Sequence, residues 1–311
     1  MRIKALRKAP KVIFIVGPTA IGKTALAIKL AKKIRGEIIS CDSMQIYKGL
    51  SVLSQAPSRD ERKSVRHHLV GLLDPGKEYS VALFIKKAAA IIKSIIKSGK
   101  TPIVAGGSGL YVKALIDGLF PSPEADLKFR EKLQKYARRS GAERLHKRLL
   151  KIDPESASRI HPNDTRRIIR ALEIYNSAGR TMTELKSATK GLSAIYDIKV
   201  FGLTAPRECV YSRIDSRVDR MFSEGVVREA KRLAGKKLSL TSRSVLGLKE
   251  IKGYLDGEYS LDEAKDMVKM NTRRFAKRQY TWFRSDGRIK WFDITRNTDA
   301  KIIKNIVRKV R

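Results

Sequence analysis

The 311-residue sequence predicts an α/β protein, in which a helical domain is inserted into a core built on a parallel sheet. Short apolar runs suited to buried strands alternate with stretches of helical periodicity over the first 110 residues. Residues 122–196 contain helix-like segments and no strand pattern, and an apolar strand-like run returns at 198–203. Because alternating strands and helices form βαβ units, the strands are expected to run parallel. We therefore expect a core of residues 1–121 and 197–311, interrupted by a helical domain of residues 122–196.

The core elements follow one another closely along the chain. A β-branched run at 11–16, bounded by Pro10 and Gly17, indicates a strand buried on both faces. The next expected elements are a helix at 25–34, a strand at 37–40, a helix at 81–96 and a strand at 101–105. Beyond the insertion they are a strand at 198–203 and helical stretches at 207–234 and 261–284. Pro121-Ser122-Pro123 marks the start of the insertion, whose helical segments are expected at 125–139, 142–151 and 164–178.

The net charge points to an anionic partner. Lys and Arg number 67 against 31 Asp and Glu, which gives a formal net charge of +36. Repulsion among so many positive charges destabilises the folded state unless a polyanion binds nearby. Nucleic acid is the leading partner, with an anionic membrane surface as the alternative, although no apolar run approaches the ~20 residues of a membrane span. Residues 122–196 carry a net charge of +8 and residues 267–311 one of +11, so basic segments flank the core on both sides.

Cysteine content and the N-terminal segment bear on the compartment. Cys41 and Cys209 are too few for a framework of disulfides and fit a reducing environment. The basic start and the apolar run at 12–16 resemble a signal peptide only superficially, because five residues are too few for its apolar region. We expect a cytoplasmic protein that does not insert into a membrane.

A phosphate-binding motif, G-x-x-x-x-G-K-[ST], lies between the first expected strand and the first expected helix. It consists of Gly17, Pro18, Thr19, Ala20, Ile21, Gly22, Lys23 and Thr24. Glycines allow backbone N–H groups to converge on phosphate oxygens, the helix N-terminus favours anions, and Lys23 adds a point charge. Thr24 is placed to ligate Mg²⁺. The motif gives the core a P-loop NTPase-like character, and the alternative is a glycine-rich turn without a ligand.

Polar residues follow the second and third expected strands, at the sheet edge where open parallel sheets bind ligands. Asp42 could ligate a metal through water or act as a general base, or it could merely cap a short helix. Ser108 follows Gly106-Gly107 and can both donate and accept a hydrogen bond. The alternative for this second segment is a tight strand-to-helix turn.

Arg217 and the pair His67-His68 are the remaining candidates. In the helix from Arg207, the apolar stripe of Ile214, Val218 and Met221 places Arg217 nearest to the core boundary, with Arg213 and Arg220 further round. Arg217 could reach a phosphate, although a solvated arginine is the simpler interpretation. Adjacent histidines point apart on a helix or a strand, so packing or hydrogen bonding is favoured over metal binding.

Taken together, these motifs resemble those of the tRNA dimethylallyltransferases, the IPP transferase family. The matching segments, in the family's order, are 17–24, 42–49, 67–69, 106–111, 166–173 and 277–284. The resemblance runs from about residue 11 to 285. Ser108 replaces the threonine usual in the family. After Gly49 the family usually has Ile-Gly-Thr-Ala-Lys-Pro, whereas Leu53-Ser54-Gln55-Ala56-Pro57 stands here.

The resemblance implies transfer of a dimethylallyl group from dimethylallyl diphosphate to N6 of the adenosine 3′-adjacent to the anticodon. The P-loop would then hold a prenyl diphosphate, neutralised by Lys23, Arg217 and Mg²⁺ bound through Thr24. Asp42 would remove a proton from N6, and Ser108 would align attack with departure. These three residues, Asp42, Ser108 and Arg217, are the expected catalytic residues.

The implied macromolecular partner is the anticodon stem-loop of tRNA, whose target base must be flipped out of its stack. The expected tRNA contacts are Asp42, Ser43, Met44, Gln45, Ser108, Arg130, Arg166, Arg167, Ile168, Ile169, Arg170 and Arg278. We expect the protein to act as a monomer.

Two other functions use the same first motif. An ATP-dependent P-loop kinase or NTPase acting on or with RNA should also carry an adenine clamp and an arginine-rich lid. No lid can be assigned from the sequence, and that function leaves Asp42 and Ser108 unexplained. An RNA-binding protein with a merely structural P-loop is disfavoured by the intact Lys23-Thr24 pair.

Overall fold

A computed structural model describes residues 9–120 and 125–310 of the chain. These residues form two compact units. One comprises the chain up to Ile116 together with the chain from Leu192 onward, and the other is Asp117–Gly191. The expected start of the insertion, Pro121-Ser122-Pro123, lies outside the described residues.

The first unit contains a parallel sheet with helices on both faces. The strands are β1 (Lys11–Val16), β2 (Gly36–Ser40), β3 (His67–His68), β4 (Thr101–Gly106), β5 (Asp197–Thr204) and β6 (Lys290–Asp293). In the described part of the chain these six strands lie in the order β3-β2-β4-β1-β5-β6, and each neighbouring pair is parallel. The predicted α/β class is therefore confirmed. The ends of β1, β2 and β4 lie side by side at one edge of the sheet.

The helices complete both units. In chain order they are α1 (Lys23–Ile34), α2 (Arg59–Ser64), α3 (Val81–Lys97), α4 (Gly109–Asp117), α5 (Leu127–Ser140), α6 (Ala142–Ile152), α7 (Pro154–Arg159), α8 (Thr165–Ala178), α9 (Met182–Ser187), α10 (Arg207–Ser223), α11 (Val226–Ala234), α12 (Leu248–Leu255), α13 (Leu261–Arg284) and α14 (Asp299–Val310). The expected continuous stretch at 207–234 is divided, because Gly225 has a left-handed φ of 92° and α11 starts anew after it.

The alternation of side chains along β1 determines how the sheet is covered. Val12, Phe14 and Val16 belong to one buried cluster, which includes Phe84 of α3. Ile13 and Ile15 belong to a second cluster, on the other face, which includes Leu26 and Leu30 of α1. Since successive strand side chains point to opposite faces, β1 is buried on both sides. This confirms the interpretation of its uninterrupted β-branched run.

The second unit has its own apolar core and one buried carboxylate. The core includes Leu133 of α5, Leu149 of α6 and Leu172 of α8. Glu173 of α8 is fully buried. It accepts hydrogen bonds from Arg130 Nε and Nη2 at 2.8 and 2.9 Å, from the N–H of Asp126 at 2.8 Å, and from Arg170. Glu173 thereby ties the start of α5 to α8.

Burial raises the pKa of Glu173, but hydrogen bonds from Arg130 and Arg170 outweigh it and lower the pKa below its usual value. A carboxylate with a lowered folded-state pKa stabilises the fold above its unfolded-state pKa, and that contribution is lost as the pH falls. The stabilisation from Glu173 is therefore present at neutral pH.

Replacing Glu173 with Ala should loosen the packing of α5 against α8. Loss of a buried partner leaves two arginines uncompensated, which costs about 3 kcal/mol, near the low end for buried pairs because both arginines are about a third exposed. Amide hydrogen exchange in α5 and α8 of the full chain should then accelerate about 10²-fold at neutral pH.

The matched control is Glu131→Ala on α5. Glu131 forms an exposed pair with Lys135 at 2.8 Å, and an i,i+4 pair of this kind is worth about 0.3–0.5 kcal/mol. Equal acceleration of exchange in the two variants would contradict the structural role given to Glu173.

Candidate active site

The P-loop connects β1 to α1 and depends on backbone conformations that favour glycine. Gly17 and Gly22 have φ values of 142° and 100°. A Cβ on Gly17 would also lie 2.7 Å from the carbonyl oxygen of Leu203 in β5. Ala20 has a left-handed φ of 63°, so the loop curves tightly before α1 begins at Lys23. The loop thus ends at a helix N-terminus, where anions bind favourably.

Lys23 lies at the centre of the site. It is half-buried, and its Nζ donates a hydrogen bond to the carbonyl oxygen of Pro18 at 2.6 Å. Burial and, to a smaller extent, the Arg217 guanidinium lower its pKa to about 7, while the Asp42 carboxylate acts in the opposite direction. An anion bound beside Lys23 would favour the charged ammonium and raise this pKa.

Three arginines on one face of α10 border the P-loop. Arg217 Nη1 donates to Thr19 Oγ1 at 3.1 Å, and Arg213 Nε donates to the carbonyl oxygen of Ala20 at 3.1 Å. Burial, together with the neighbouring charges of Arg220 and Arg213, lowers the pKa of Arg217 to about 10. Arg217 therefore lies beside the P-loop, as the sequence predicts.

Arg213 and Arg220 lie closer to the site than the sequence predicts. Arg213 contacts the loop, and Arg220 lines the same cavity as Arg217. The P-loop lies along two turns of α10, so three arginines of that helix border it and its cavity, where the sequence predicted a single arginine. The spacing i, i+4, i+7 was a signal for such a stripe.

Asp42 follows β2, as the sequence predicts, and it does cap a turn. Its Oδ1 accepts a hydrogen bond from the N–H of Met44 at 2.8 Å. Burial nevertheless raises its pKa above the usual value, although the Met44 N–H and the Lys23 ammonium act in the opposite direction. A carboxylate whose pKa is raised accepts a proton more readily, so capping and proton acceptance are compatible at this position.

Gly106 brings Ser108 up to the end of β2. A Cβ on Gly106 would lie 2.0 Å from the carbonyl oxygen of Cys41, a distance that no other residue type could tolerate. The N–H of Ser108 donates to that same oxygen at 3.4 Å. Asp42 and Ser108 therefore follow neighbouring strand ends and line one cavity.

Two cavities of about 320 Å³ each adjoin at this edge of the sheet. They share Thr19, Asp42, Ser54, Gln55, Arg217 and Phe275. The first, here called the P-loop cavity, also contains Lys23, Thr24 and Arg220. The second, here called the acceptor cavity, also contains Ser108, Arg278, Met44, Leu53, Val218, Met221, Val245, Leu246 and Val268. A cationic space thus opens into one with a largely apolar wall.

The loop that differs from the family pattern is fixed by two side chains. Glu229 of α11 is buried and accepts hydrogen bonds from the N–H groups of Val52 at 3.0 Å and Leu53 at 2.8 Å. Gln45 Nε2 donates to the carbonyl oxygen of Gln55 at 3.1 Å. The amide of Gln45, an expected tRNA contact, is therefore engaged within the protein.

The other expected tRNA contacts fall into distinct environments. Ser43, Met44 and Arg278 line the acceptor cavity. In the second unit Arg166 and Arg167 are exposed on α8, whereas the side chains of Ile168 and Ile169 are buried in the core.

This burial corrects the expectation for the two isoleucines, whose side chains pack inside the protein. Helical periodicity explains it, because positions 168, 169 and 172 share the inward face of α8. Arg130 and Arg170 are about a third exposed while they bind Glu173, so only part of each guanidinium faces outward.

A larger groove, of about 820 Å³, lies on the second unit between α5 and α6. Its basic lining residues are Lys128, Lys132, Lys135, Arg139, Arg144 and Arg148. Despite its size, this groove is the weaker candidate for a catalytic centre, because it lacks the combination of P-loop, buried carboxylate and apolar wall. Its charge suits an extended anion.

The two adjacent histidines are engaged in hydrogen bonds. His68 Nε2 lies 2.7 Å from Glu37 Oε2, and His67 Nδ1 lies 2.8 Å from the carbonyl oxygen of Val65, which supports the hydrogen-bonding interpretation. Among the residues that the structure describes, no three His, Cys, Asp or Glu side chains converge to hold a metal ion. Within residues 9–120 and 125–310, no helix combines the length and apolarity needed to cross a membrane.

Comparisons with known proteins agree on one family. A family model described as IPP transferase matches residues 45–286, and one described as isopentenyl transferase matches residues 10–74. A protein named tRNA dimethylallyltransferase from Carboxydothermus hydrogenoformans is 49% identical and covers 96% of each chain. One of the same name from Geobacter sulfurreducens is 43% identical over 93% of this chain and 94% of its own.

Solved structures give the same result. The tRNA isopentenylpyrophosphate transferase from Bacillus halodurans is 40% identical, with a TM-score of 0.71 and 96% of each chain covered. A eukaryotic dimethylallyltransferase described as acting on tRNA is 29% identical, with a TM-score of 0.79 over 96% of this chain and 78% of its own.

The lowered pKa of Lys23 predicts proton uptake when an anion binds. Inorganic pyrophosphate in the P-loop cavity should raise that pKa, so uptake should approach one proton per site at about pH 8 and decline below about pH 7, where Lys23 is already charged. Affinity should weaken as the pH rises above about 7. Calorimetry in buffers of different ionisation enthalpy measures the uptake.

Lys23→Met provides the control for this measurement. Titration of pyrophosphate itself is common to both proteins and cancels in the difference. If the variant binds pyrophosphate with the same proton uptake as the unmodified chain, the lysine is not the group that titrates.

Proposed function

The chain belongs to the IPP transferase family, and from that premise we propose that it is a tRNA dimethylallyltransferase. It transfers a dimethylallyl group from dimethylallyl diphosphate to N6 of the adenosine 3′-adjacent to the anticodon and releases diphosphate. The observation that carries the proposal is the junction of the two cavities. A phosphate-binding space opens directly into an apolar one that contains Asp42 and Ser108.

The P-loop cavity suits the diphosphate. Lys23, Arg217 and the N-terminus of α1 face it and would stabilise the charge that develops as the C1–O bond breaks. Burial is the main cause of the lowered pKa values of Lys23 and Arg217, and neighbouring cationic side chains add to it, so an anionic ligand would favour the charged form of both groups. The leaving group is thus bound where the protein is most strongly cationic.

Magnesium fits the donors available beside the diphosphate. The ion prefers oxygen ligands and is usually held by few protein groups together with substrate phosphates. The Thr24 hydroxyl, with the Asp42 carboxylate acting through water, would hold it, and both residues line the P-loop cavity. When bound, Mg²⁺ would supply further neutralisation of the diphosphate.

The acceptor cavity suits the prenyl chain and the incoming amine. Leu53, Val218 and Met221 form part of a wall against which a five-carbon chain can lie away from water. The flipped adenine would enter from the side of Met44 and Ser108. Exclusion of water also protects the allylic centre from hydrolysis.

Asp42 and Ser108 act on the N6 amine, the first as a base and the second by orienting it. The N6 lone pair is delocalised into the adenine ring, so the amine attacks well only as its proton is removed. As the N6–C1 bond forms and the C1–O bond breaks, the N6 proton passes to the Asp42 carboxylate. The electron pair of the broken bond leaves with the diphosphate. Ser108 would hydrogen-bond near the amine and hold it in line with C1.

The charge of the second unit, Asp117–Gly191, supports the tRNA-contacting role expected for the helical domain at 122–196. The groove between α5 and α6 and the exposed Arg166 and Arg167 would bind the phosphates of the anticodon stem-loop. Every catalytic group named above belongs to one chain, so a monomer suffices. With tRNA as its substrate, the enzyme would act in the cytoplasm.

An ATP-dependent kinase is the less favoured function. Both functions require the P-loop, but the apolar wall of the acceptor cavity and the family assignment favour a prenyl donor. Phosphoryl transfer from ATP would leave that wall without a role.

The proposed reaction predicts a product that mass spectrometry can identify. Incubation of undermodified tRNA with dimethylallyl diphosphate and Mg²⁺ should give N6-dimethylallyladenosine in the digested tRNA. Lys23→Ala should reduce product formation by at least about 10³-fold, because the leaving diphosphate loses its central charge. ATP-dependent phosphate release with unmodified adenosine would instead support the kinase.

Replacement of Asp42 by Asn should separate chemistry from binding. The asparagine amide can still accept from the Met44 N–H but cannot take the N6 proton, so turnover should fall by about 10²-fold or more while pyrophosphate binding changes little. In the unmodified chain the rate should rise with pH through the raised pKa of Asp42. This rise should be absent in the variant.

Asp60→Asn, at an exposed position of α2 outside both cavities, is the matched control. It removes the same charge elsewhere and should leave turnover unchanged. Unaltered turnover of Asp42→Asn at saturating tRNA would remove Asp42 from the role of base.

A further inference from the structure

Gln279 of α13 joins the P-loop to the segment that carries Ser108. Its side chain is 6% exposed. Its Oε1 accepts a hydrogen bond from the N–H of Thr19 at 2.8 Å, and its Nε2 donates to the carbonyl oxygen of Gly107 at 2.9 Å. One buried amide therefore spans the loops that follow β1 and β4, the two strands that neighbour each other in the sheet.

The absence of a side chain at Gly107 makes room for the Gln279 amide. A Cβ on Gly107 would lie 2.2 Å from Gln279 Nε2, so any other residue at 107 would displace the amide. Gly107 has no positive φ that would demand glycine for conformational reasons. Room for the glutamine amide is thus the steric reason for a glycine at this position.

The two loops hold opposite halves of the proposed reaction. Thr19 accepts from Arg217, a group on the diphosphate side, and Gly107 immediately precedes Ser108 on the amine side. The N–H of Thr19 donates to Gln279, so this contact shapes the loop without supplying a donor to phosphate. The hydrogen bonds of Gln279 to Thr19 and Gly107 thus fix the spacing between the leaving group and the nucleophile. This spacing matters because a displacement of about 1 Å can lower the rate about 10²-fold.

We propose that Gln279 is a positioning residue that sets the distance between the diphosphate loop and the Ser108 segment. This inference rests on the proposed prenyl transfer. Gln279 acts through Thr19 and Gly107, and it takes no part in the bond changes themselves. Its loss should therefore lower kcat much more than it alters the KM for dimethylallyl diphosphate.

Two replacements of Gln279 test this role. Gln279→Met keeps the length and most of the volume but removes both hydrogen bonds. Gln279→Glu can still accept from Thr19 but presents a carboxylate to the carbonyl oxygen of Gly107. In both variants kcat should fall by about 10- to 10²-fold, with KM for dimethylallyl diphosphate changed less than about threefold. Calorimetric affinity for inorganic pyrophosphate should be retained.

Amide hydrogen exchange gives a readout that does not depend on activity. The Thr19 amide should exchange about 10-fold faster or more in Gln279→Met and remain protected in Gln279→Glu, because only the latter keeps an acceptor. A side chain that merely filled space would leave exchange at Thr19 alike in both variants. That result would overturn the proposal.

Tyr280→Phe is the matched control on the same helix. The Tyr280 hydroxyl accepts a hydrogen bond from the N–H of Ala205 at 3.2 Å, beyond the end of β5, and the residue lines neither cavity. Its loss also removes a bond between α13 and the sheet edge, yet kcat should change less than about threefold. An equal loss of kcat in Tyr280→Phe and Gln279→Met would contradict a specific role for Gln279.

The outcomes separate this inference from the proposed function. If the unmodified chain forms no prenylated tRNA, prenyl transfer is refuted while the exchange of Thr19 still tests the contact. If the unmodified chain is active and Gln279→Met keeps its full kcat, only the positioning role is refuted.

Discussion

Absence of a side chain at residue 106 is the steric condition on which the site depends. The end of β4 passes so close to β2 that a Cβ at this position would lie 2.0 Å from the carbonyl oxygen of Cys41. The N–H of Cys41 in turn donates to the carbonyl oxygen of Ala105 at 2.8 Å. Because the two backbones meet in this way, Asp42 and Ser108 emerge from adjacent strand ends. Any larger residue at 106 would push the two strand ends apart and so separate Asp42 from Ser108.

A second constraint is electrostatic. Lys23, Arg213, Arg217 and Arg220 border a single loop. The pKa values of Lys23 and Arg217 are lowered mainly by burial and to a smaller extent by neighbouring cations, which reflects the free-energy cost of placing the two charges there. The fold tolerates that cost because β1 and β4 beneath the loop are buried in apolar clusters on both faces. In the proposed function a bound diphosphate would offset this cost. The cluster that destabilises the fold would therefore stabilise the complex with the diphosphate.

Local patterns in the sequence were sufficient for three of the strands in the first half of the core. The β-branched run of β1, the P-loop and the polar residues after β2 and β4 were each predicted at their observed places. The two-residue β3 was not predicted, because a run that short carries no measurable period, and the four-residue β6 was not predicted either. Gln279 and Glu229 were also missed. Their roles come from hydrogen bonds across more than 170 positions of the chain, which composition and spacing do not reveal.

Three buried glutamates stabilise the fold of this basic chain. Glu37, Glu173 and Glu229 are buried, where the first two are bound by cationic side chains and the third by backbone N–H groups. Carboxylates used in this way fasten β2, α8 and the loop at 50–57, but they neutralise little of the outer surface. Other acidic residues pair with lysines and arginines nearer the surface, as Asp215 does with Arg273 and Asp219 does with Lys265 and Lys269. Because Lys and Arg number 67 against 31 Asp and Glu, a large basic surplus remains after such pairing, and this surplus suits the phosphates of an RNA.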